Sequence, residues 1–154
     1  MSECCRIAQC CIQIRVRYSE VDRQNAVHHS VYAKYFEMGR TELLRVNGYE
    51  YRGLEDSGIT LVVAKLECRF RSPARYDDVL ELTTSVGKID RVRLEHIYKI
   101  TRPQDNRLIA DGKTILVHID KQGKLQGLPD FLKTTPNYRC PELKVSSLPR
   151  TYSV

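Results

Sequence analysis

Residues 12 to 18 read Ile-Gln-Ile-Arg-Val-Arg-Tyr, a strict alternation that puts Ile12, Ile14, Val16 and Tyr18 on one face and polar or charged groups on the other. Period-two patterning of this kind predicts a half-buried β-strand. A polar segment rich in turn formers follows, from Ser19 to Asn25. From about His29 to Val46 there is no proline, and Tyr32, Tyr35, Phe36, Leu43 and Val46 form an apolar stripe at helical spacing. This predicts one long helix, closed by Asn47-Gly48, residues that accept the left-handed backbone found just past helix ends.

After a loop containing Gly53 and Gly58, alternation resumes from Ile59 to Arg71, with Val62, Ala64, Leu66, Cys68 and Phe70 expected on one face; Pro73 ends the run. Two further strands are predicted, Val79 to Val86 with Leu80 and Leu82 inward, and Arg91 to Ile100 with Val92, Leu94, His96, Tyr98 and Ile100 inward. Gly87 to Asp90 would turn between them, and Gln104 to Arg107 would turn into a fifth strand, Leu108 to Ile119. The tail carries one short helix near Pro129 to Lys133, and little regular structure is expected from Pro136 onward. A five-stranded antiparallel sheet with one apolar face has to be covered, and the only long amphipathic helix is at residues 29 to 46. The fold class that follows is α+β, with the sheet wrapped around one long central helix.

Composition sharpens this picture. A chain of 154 residues, 42% hydrophobic and 29% charged, has the size and make-up of a single globular domain; the core is expected over about residues 12 to 132, with a C-terminal tail from 133 to 154. No window approaches a membrane span, and Glu3, Arg6 and Gln9 interrupt any apolar leader, so a cytoplasmic protein is expected. The six cysteines fall as Cys4-Cys5, Cys10-Cys11, Cys68 and Cys140, which matches no disulfide framework or common zinc spacing, and they read as free thiols. No metal and no cofactor is expected. A net charge of +6 favours polyanionic company. Because the lysines and arginines form no dense run, a phosphate-bearing small ligand or an acidic carrier protein fits better than nucleic acid.

Chemistry is best placed in the segment Tyr18-Ser-Glu-Val-Asp22-Arg-Gln-Asn25-Ala-Val27-His28-His29-Ser-Val-Tyr32, which leads into the helix. Free N–H groups and the helix dipole make that end suited to a developing negative charge, and Asp22 would supply a carboxylate beside it. On residue type alone, Asp22 also suits a turn that merely bonds local backbone. Adjacent histidines rarely aim at one ion, so His28 and His29 read as substrate-loop residues, while His96 and His118 read as strand residues of the core. Glu37 reads as an ion-pair partner of Arg40 or Arg45 along the helix. Gly39, unfavourable inside a helix, suggests a close strand approach.

Asp22, Asn25, Tyr32, Phe36-Glu37 and Gly39-Arg40-Thr41-Glu42, followed by Phe70-Arg-Ser-Pro73-Ala-Arg-Tyr-Asp-Asp78-Val-Leu80, carry a resemblance over about residues 12 to 132. The chain resembles the 4-hydroxybenzoyl-CoA thioesterase family of hot-dog enzymes, which includes Tol-Pal-associated acyl-CoA thioesterases and plant acyl-lipid thioesterases. The resemblance implies hydrolysis of an acyl-CoA or acyl carrier protein thioester. In it Asp22 is nucleophile or general base and the His29 backbone N–H polarises the carbonyl. Asn25, Val27, His28 and Tyr32 are expected around the substrate, and Asn25 stands where many relatives have glycine. The basic group Lys88, Arg91 and Arg93 is expected to meet the phosphates of coenzyme A or an acidic carrier. A homodimer or dimer of dimers is implied, because hot-dog sites lie between subunits. The alternatives are a hot-dog hydratase or dehydratase, for which no catalytic His-Asp pattern is found, and a non-catalytic binder of acyl-CoA or nucleic acid.

Overall fold

The computed structural model describes residues 8–133. In chain order the elements are β1 (Gln9–Arg15), a single 3-10 turn (Tyr18–Glu20), α1 (Val31–Val46), α2 (Tyr51–Asp56), β2 (Thr60–Phe70), β3 (Val79–Ile89), β4 (Arg93–Arg102), β5 (Arg107–Ile119), β6 (Leu125–Gln126) and α3 (Asp130–Lys133). The sheet is antiparallel throughout and ordered β1-β3-β4-β5-β2, with the two-residue β6 pairing the end of β5. The expected five strands around one long helix are present, and β6 is an addition. Cys4, Cys5, Cys140 and the expected irregular segment after Pro136 lie outside the described residues.

Helix α1 lies on the inner face of the sheet and presents Tyr32, Tyr35, Phe36, Gly39, Leu43 and Leu44 to it. Its N-terminal half joins Ile12, Ile14, Val16, Leu80, Leu82, Tyr98, Ile100 and Ile109 in one apolar cluster. Its C-terminal half, with Leu43 and Leu44, joins Val86, Leu94, Leu128 and Leu132 in a second. Each fully buried aliphatic or aromatic side chain of this kind stabilises the fold by about 1.5–3 kcal/mol relative to exposure. The Phe36 ring stacks on Tyr98 at 4.2 Å, and Gly112 leaves room for it, since a Cβ there would lie 2.8 Å from Phe36 Cε2. Gly39 likewise lets α1 approach β3: a Cβ would meet the Thr84 hydroxyl and, at 2.9 Å, Leu82 Cδ2. The close approach expected at Gly39 is therefore present. Helix α1 ends as the sequence suggests, at Asn47, with Gly48 at φ 83°, Gly48 N–H donating to Arg45 O and Tyr49 N–H to Leu44 O.

Several expectations change in detail. Tyr18 is 79% exposed and outside the strand, because Arg17 N–H donates to Glu20 Oε2 at 2.8 Å and folds the chain into the 3-10 turn before alternation can continue. Helix α1 starts at Val31 rather than His29, since residues 28 to 30 form a turn closed by Val31 N–H donating to His28 O. Helix α2 was not foreseen; Gly53 in its interior hides it from a propensity argument. In β2 the expected face of Val62, Ala64 and Leu66 fails. A bulge between Val63 and Lys65 reverses the parity, so Ile59 and Leu61 pack on the second cluster while Cys68 packs on the first. Ala64 and Leu66 are exposed. The β3–β4 turn sits at 90–92 rather than 87–90, because the Asp90 carboxylate accepts the N–H groups of Val92 and Arg93 at 2.8 Å each. Gly87 and Lys88 instead form an irregularity within β3, and Val92 belongs to the turn.

Candidate active site

The segment between β1 and α1 is pinned at several points. Val16 N–H donates to Asp78 O, Val27 N–H donates to Ala74 O, and Val21 bridges Val27. Between these anchors Asp22 N–H donates to Ala26 O and Asn25 N–H to Asp22 O, closing a tight turn in which Asn25 adopts φ 57°. Asn is among the few non-glycine residues that occupy this region at modest cost. The Arg75 guanidinium donates to Asn25 O at 3.2 Å, and Arg75 N–H donates to Asp78 Oδ2. Asp78 is in turn ion-paired with Arg102 at 2.8 Å. An otherwise exposed turn is thus tied to the sheet.

Within it, Asp22 Oδ1 accepts the Gln24 N–H at 2.8 Å, and Oδ2 takes no hydrogen bond among the described residues. One oxygen is held by the turn and the other is open. The His29 N–H, ahead of the first residue of α1, also has no hydrogen-bond partner among the described residues. His28 Nδ1 lies within hydrogen-bond distance of Ser30 through both its hydroxyl, at 2.8 Å, and its N–H, at 3.3 Å. The His28 and His29 rings lie against each other in a tilted arrangement, centroids 4.1 Å apart and 34° from parallel.

Not every expected site residue has its side chain here. Asp22, Asn25, His28 and His29 are exposed along one segment. Val27 and Tyr32 are in the first apolar cluster, with Tyr32 edge-on to Phe70 at 5.2 Å. Burial pushes the Tyr32 phenol up to about 12, so it remains a neutral hydroxyl. Lys88, Arg91 and Arg93 are exposed but stand at the far end of β3 and β4, near the second cluster. From Leu80 to Lys88 a strand covers about 26 Å at ~3.3 Å per residue, so in one chain they are remote from Asp22. Glu37 pairs with Arg40 at 3.4 Å, as its spacing suggested. His96 is buried on the inner face of β4, and His118 bonds Gly127 O through Nδ1 at 3.0 Å.

Sequence reasoning did not connect Glu20, Tyr35, Arg75 or Phe70 with the candidate site. Glu20 Oε2 accepts both the Arg17 N–H and the Tyr35 hydroxyl, at 2.8 and 2.7 Å, and Glu20 O accepts the His28 N–H at 2.9 Å. Its three-residue spacing from Arg17 is a local turn signal that could have been noticed; Arg75, fifty residues from Asn25, offers none.

A profile of the thioesterase-like superfamily matches residues 16–145. A protein of Aquifex aeolicus is 33% identical over 75% of this chain and 88% of its own length. The acyl-CoA thioester hydrolase YbgC of Escherichia coli is 29% identical over 70% of this chain and 79% of its own. Among solved structures, a DHNA-CoA thioesterase from Staphylococcus aureus superposes with a TM-score of 0.72 at 26% identity, covering 78% of this chain and 79% of that one. Among the described residues no helix is long and apolar enough to cross a membrane.

Proposed function

Because the chain belongs to the thioesterase-like superfamily, with the hot-dog fold and thioester-hydrolase activity of that family, we propose that residues 22 to 30 are the reacting end of its acyl-CoA site. The observation that carries this reading is the pairing, on one pinned segment, of an anchored Asp22 carboxylate with the His29 N–H, which has no partner among the described residues and lies two residues ahead of a sixteen-residue helix. The thioester carbonyl oxygen would take the His29 N–H, where the helix dipole favours the negative charge that builds as the carbonyl becomes tetrahedral. Asp22 Oδ2 would attack the carbonyl carbon itself, forming an anhydride that water then opens, or would take a proton from attacking water. Either route expels a thiolate, which needs little acid help.

Asp22 is exposed in a single chain, so a second copy is proposed to form the opposite wall. Support comes from β2, an edge strand whose Val63, Leu66 and Phe70 are exposed, Phe70 by 56%, and whose Phe70 reaches the α1 start through Tyr32. Exposed apolar side chains on an open strand edge invite pairing. The Lys88, Arg91 and Arg93 group would then meet substrate phosphates bound at the site of a different subunit. The net charge of +6 also suits an acidic acyl carrier protein as thiol carrier.

The test is thiol release from a series of acyl-CoAs, repeated with acyl carrier proteins. Asp22→Asn is expected to lower kcat by at least about a hundredfold while the protein stays folded. Equal turnover by Asp22→Asn would remove Asp22 from the mechanism.

A further inference from the structure

We infer that Glu20 is a positioning residue, and that the Glu20–Tyr35 hydrogen bond sets the placement of the His29 amide relative to Asp22. The inference rests on the reading of Asp22 and His29 given above. Glu20 lies two residues before Asp22, and its main-chain carbonyl holds the His28 N–H at 2.9 Å, one residue before His29. Its side chain meets two further elements through one oxygen: the strand exit at Arg17 N–H, and the Tyr35 hydroxyl on the buried face of α1. Tyr35 is 1% exposed, packed among the first cluster, and is a far less mobile anchor than anything on the loop. Backbone bonds tie the segment to residues 74 to 78, and Val21 and Val27 pack in the first cluster, but among the described residues the side-chain hydrogen bond that joins it to α1 is this one. With it, carboxylate and amide are referenced to the same helical turn.

The chemistry of the pair suits a fixed strut. Burial and the neighbouring Glu20 carboxylate both push the Tyr35 phenol well above its ordinary range, so it remains a donor. Both donors fall on a single carboxylate oxygen, a role that an amide oxygen can also fill. Reaction geometry tolerates little displacement, about 1 Å being able to cost up to about a hundredfold in rate.

The experiment measures kcat and KM per folded molecule on the acyl-CoA that the unmodified protein turns over fastest, for Glu20→Ala, Glu20→Gln, Tyr35→Phe and Asp22→Asn. Glu20→Ala is expected to lower kcat by about ten- to a hundredfold with KM within about twofold, and Glu20→Gln to restore it to within about threefold. Tyr35→Phe, which deletes only a hydroxyl, should lower kcat in the same sense and add nothing in the Glu20→Ala background; it also serves if Glu20→Ala does not fold. Unchanged kcat in Tyr35→Phe and Glu20→Ala, beside a large loss in Asp22→Asn, overturns the positioning role alone. Glu20→Gln as slow as Glu20→Ala also overturns it, since charge rather than placement would then matter. Full activity in Asp22→Asn overturns the underlying reading, and the positioning role with it.

Discussion

The Arg75 guanidinium holds the Asn25 carbonyl at 3.2 Å, and Asn25 is the residue that carries the candidate loop through the left-handed region, at φ 57°. Asn25→Gly should leave stability unchanged within a few tenths of a kcal/mol, whereas Asn25→Ala should cost about 1–2 kcal/mol, because a Cβ without a locally bonding side chain is penalised there. Urea denaturation measures both, and equal midpoints for the two variants would contradict the argument.

The distance between Asp22 and the basic group at Lys88, Arg91 and Arg93 makes a kinetic prediction. Neutralising the three with glutamine should raise KM for acyl-CoA while kcat stays put, each lost phosphate contact weakening binding by about 1 kcal/mol or less at moderate salt. A truncated acyl thioester without the nucleotide should show no change. A fall in kcat for both substrates would place the group in the reacting centre instead.

Gly39 faces two opposing magnitudes. Alanine would gain up to about 1 kcal/mol of helix propensity, but its methyl would press on Thr84 and Leu82, both fully buried, at an overpacking cost of about 1–3 kcal/mol. Gly39→Ala should therefore destabilise on balance. The Thr84 hydroxyl is buried without a hydrogen-bond partner among the described residues, so Thr84→Val should be neutral or raise stability by about 1 kcal/mol. Thermal melts should show a lower midpoint for Gly39→Ala and an equal or higher one for Thr84→Val.

Acid stability should depend on Arg71 and Asp111, joined at 2.6 Å across β2 and β5. The Arg71 hydrogen bond holds the Asp111 carboxyl below its ordinary range. A depressed folded-state pKa contributes stability that is complete above the ordinary carboxylate value near 4 and is lost as pH falls below it. Both side chains are partly exposed, so solvent screening keeps the contribution small. Asp111→Asn should flatten the stability profile below about pH 4, and an unchanged acid limb would show the pair to be neutral.

The strand and helix periods in the sequence were enough to define five strands around one helix, because Ile12, Leu80, Leu94 and Phe36 each sit in patterns that only one period can satisfy. The turn at Asp22 and Asn25 was legible for a related reason, since turn chemistry is local, whereas the start of α1 lay two residues beyond the position its pattern suggested. The face of β2 was not legible, since one extra residue near Ala64 reverses every side chain beyond it and leaves no mark on composition. Nor were the contacts of Arg75 with Asn25, Tyr35 with Glu20, and Arg102 with Asp78, which join residues fifteen to fifty apart. By itself the sequence determined the five long strands and the one long helix, though not α2 or β6, because sustained patterning limits a long segment to one periodic structure. Only the tertiary structure decided what holds the candidate loop and how far the basic group stands from it, because those relations exist only once distant segments share one sheet and one helix.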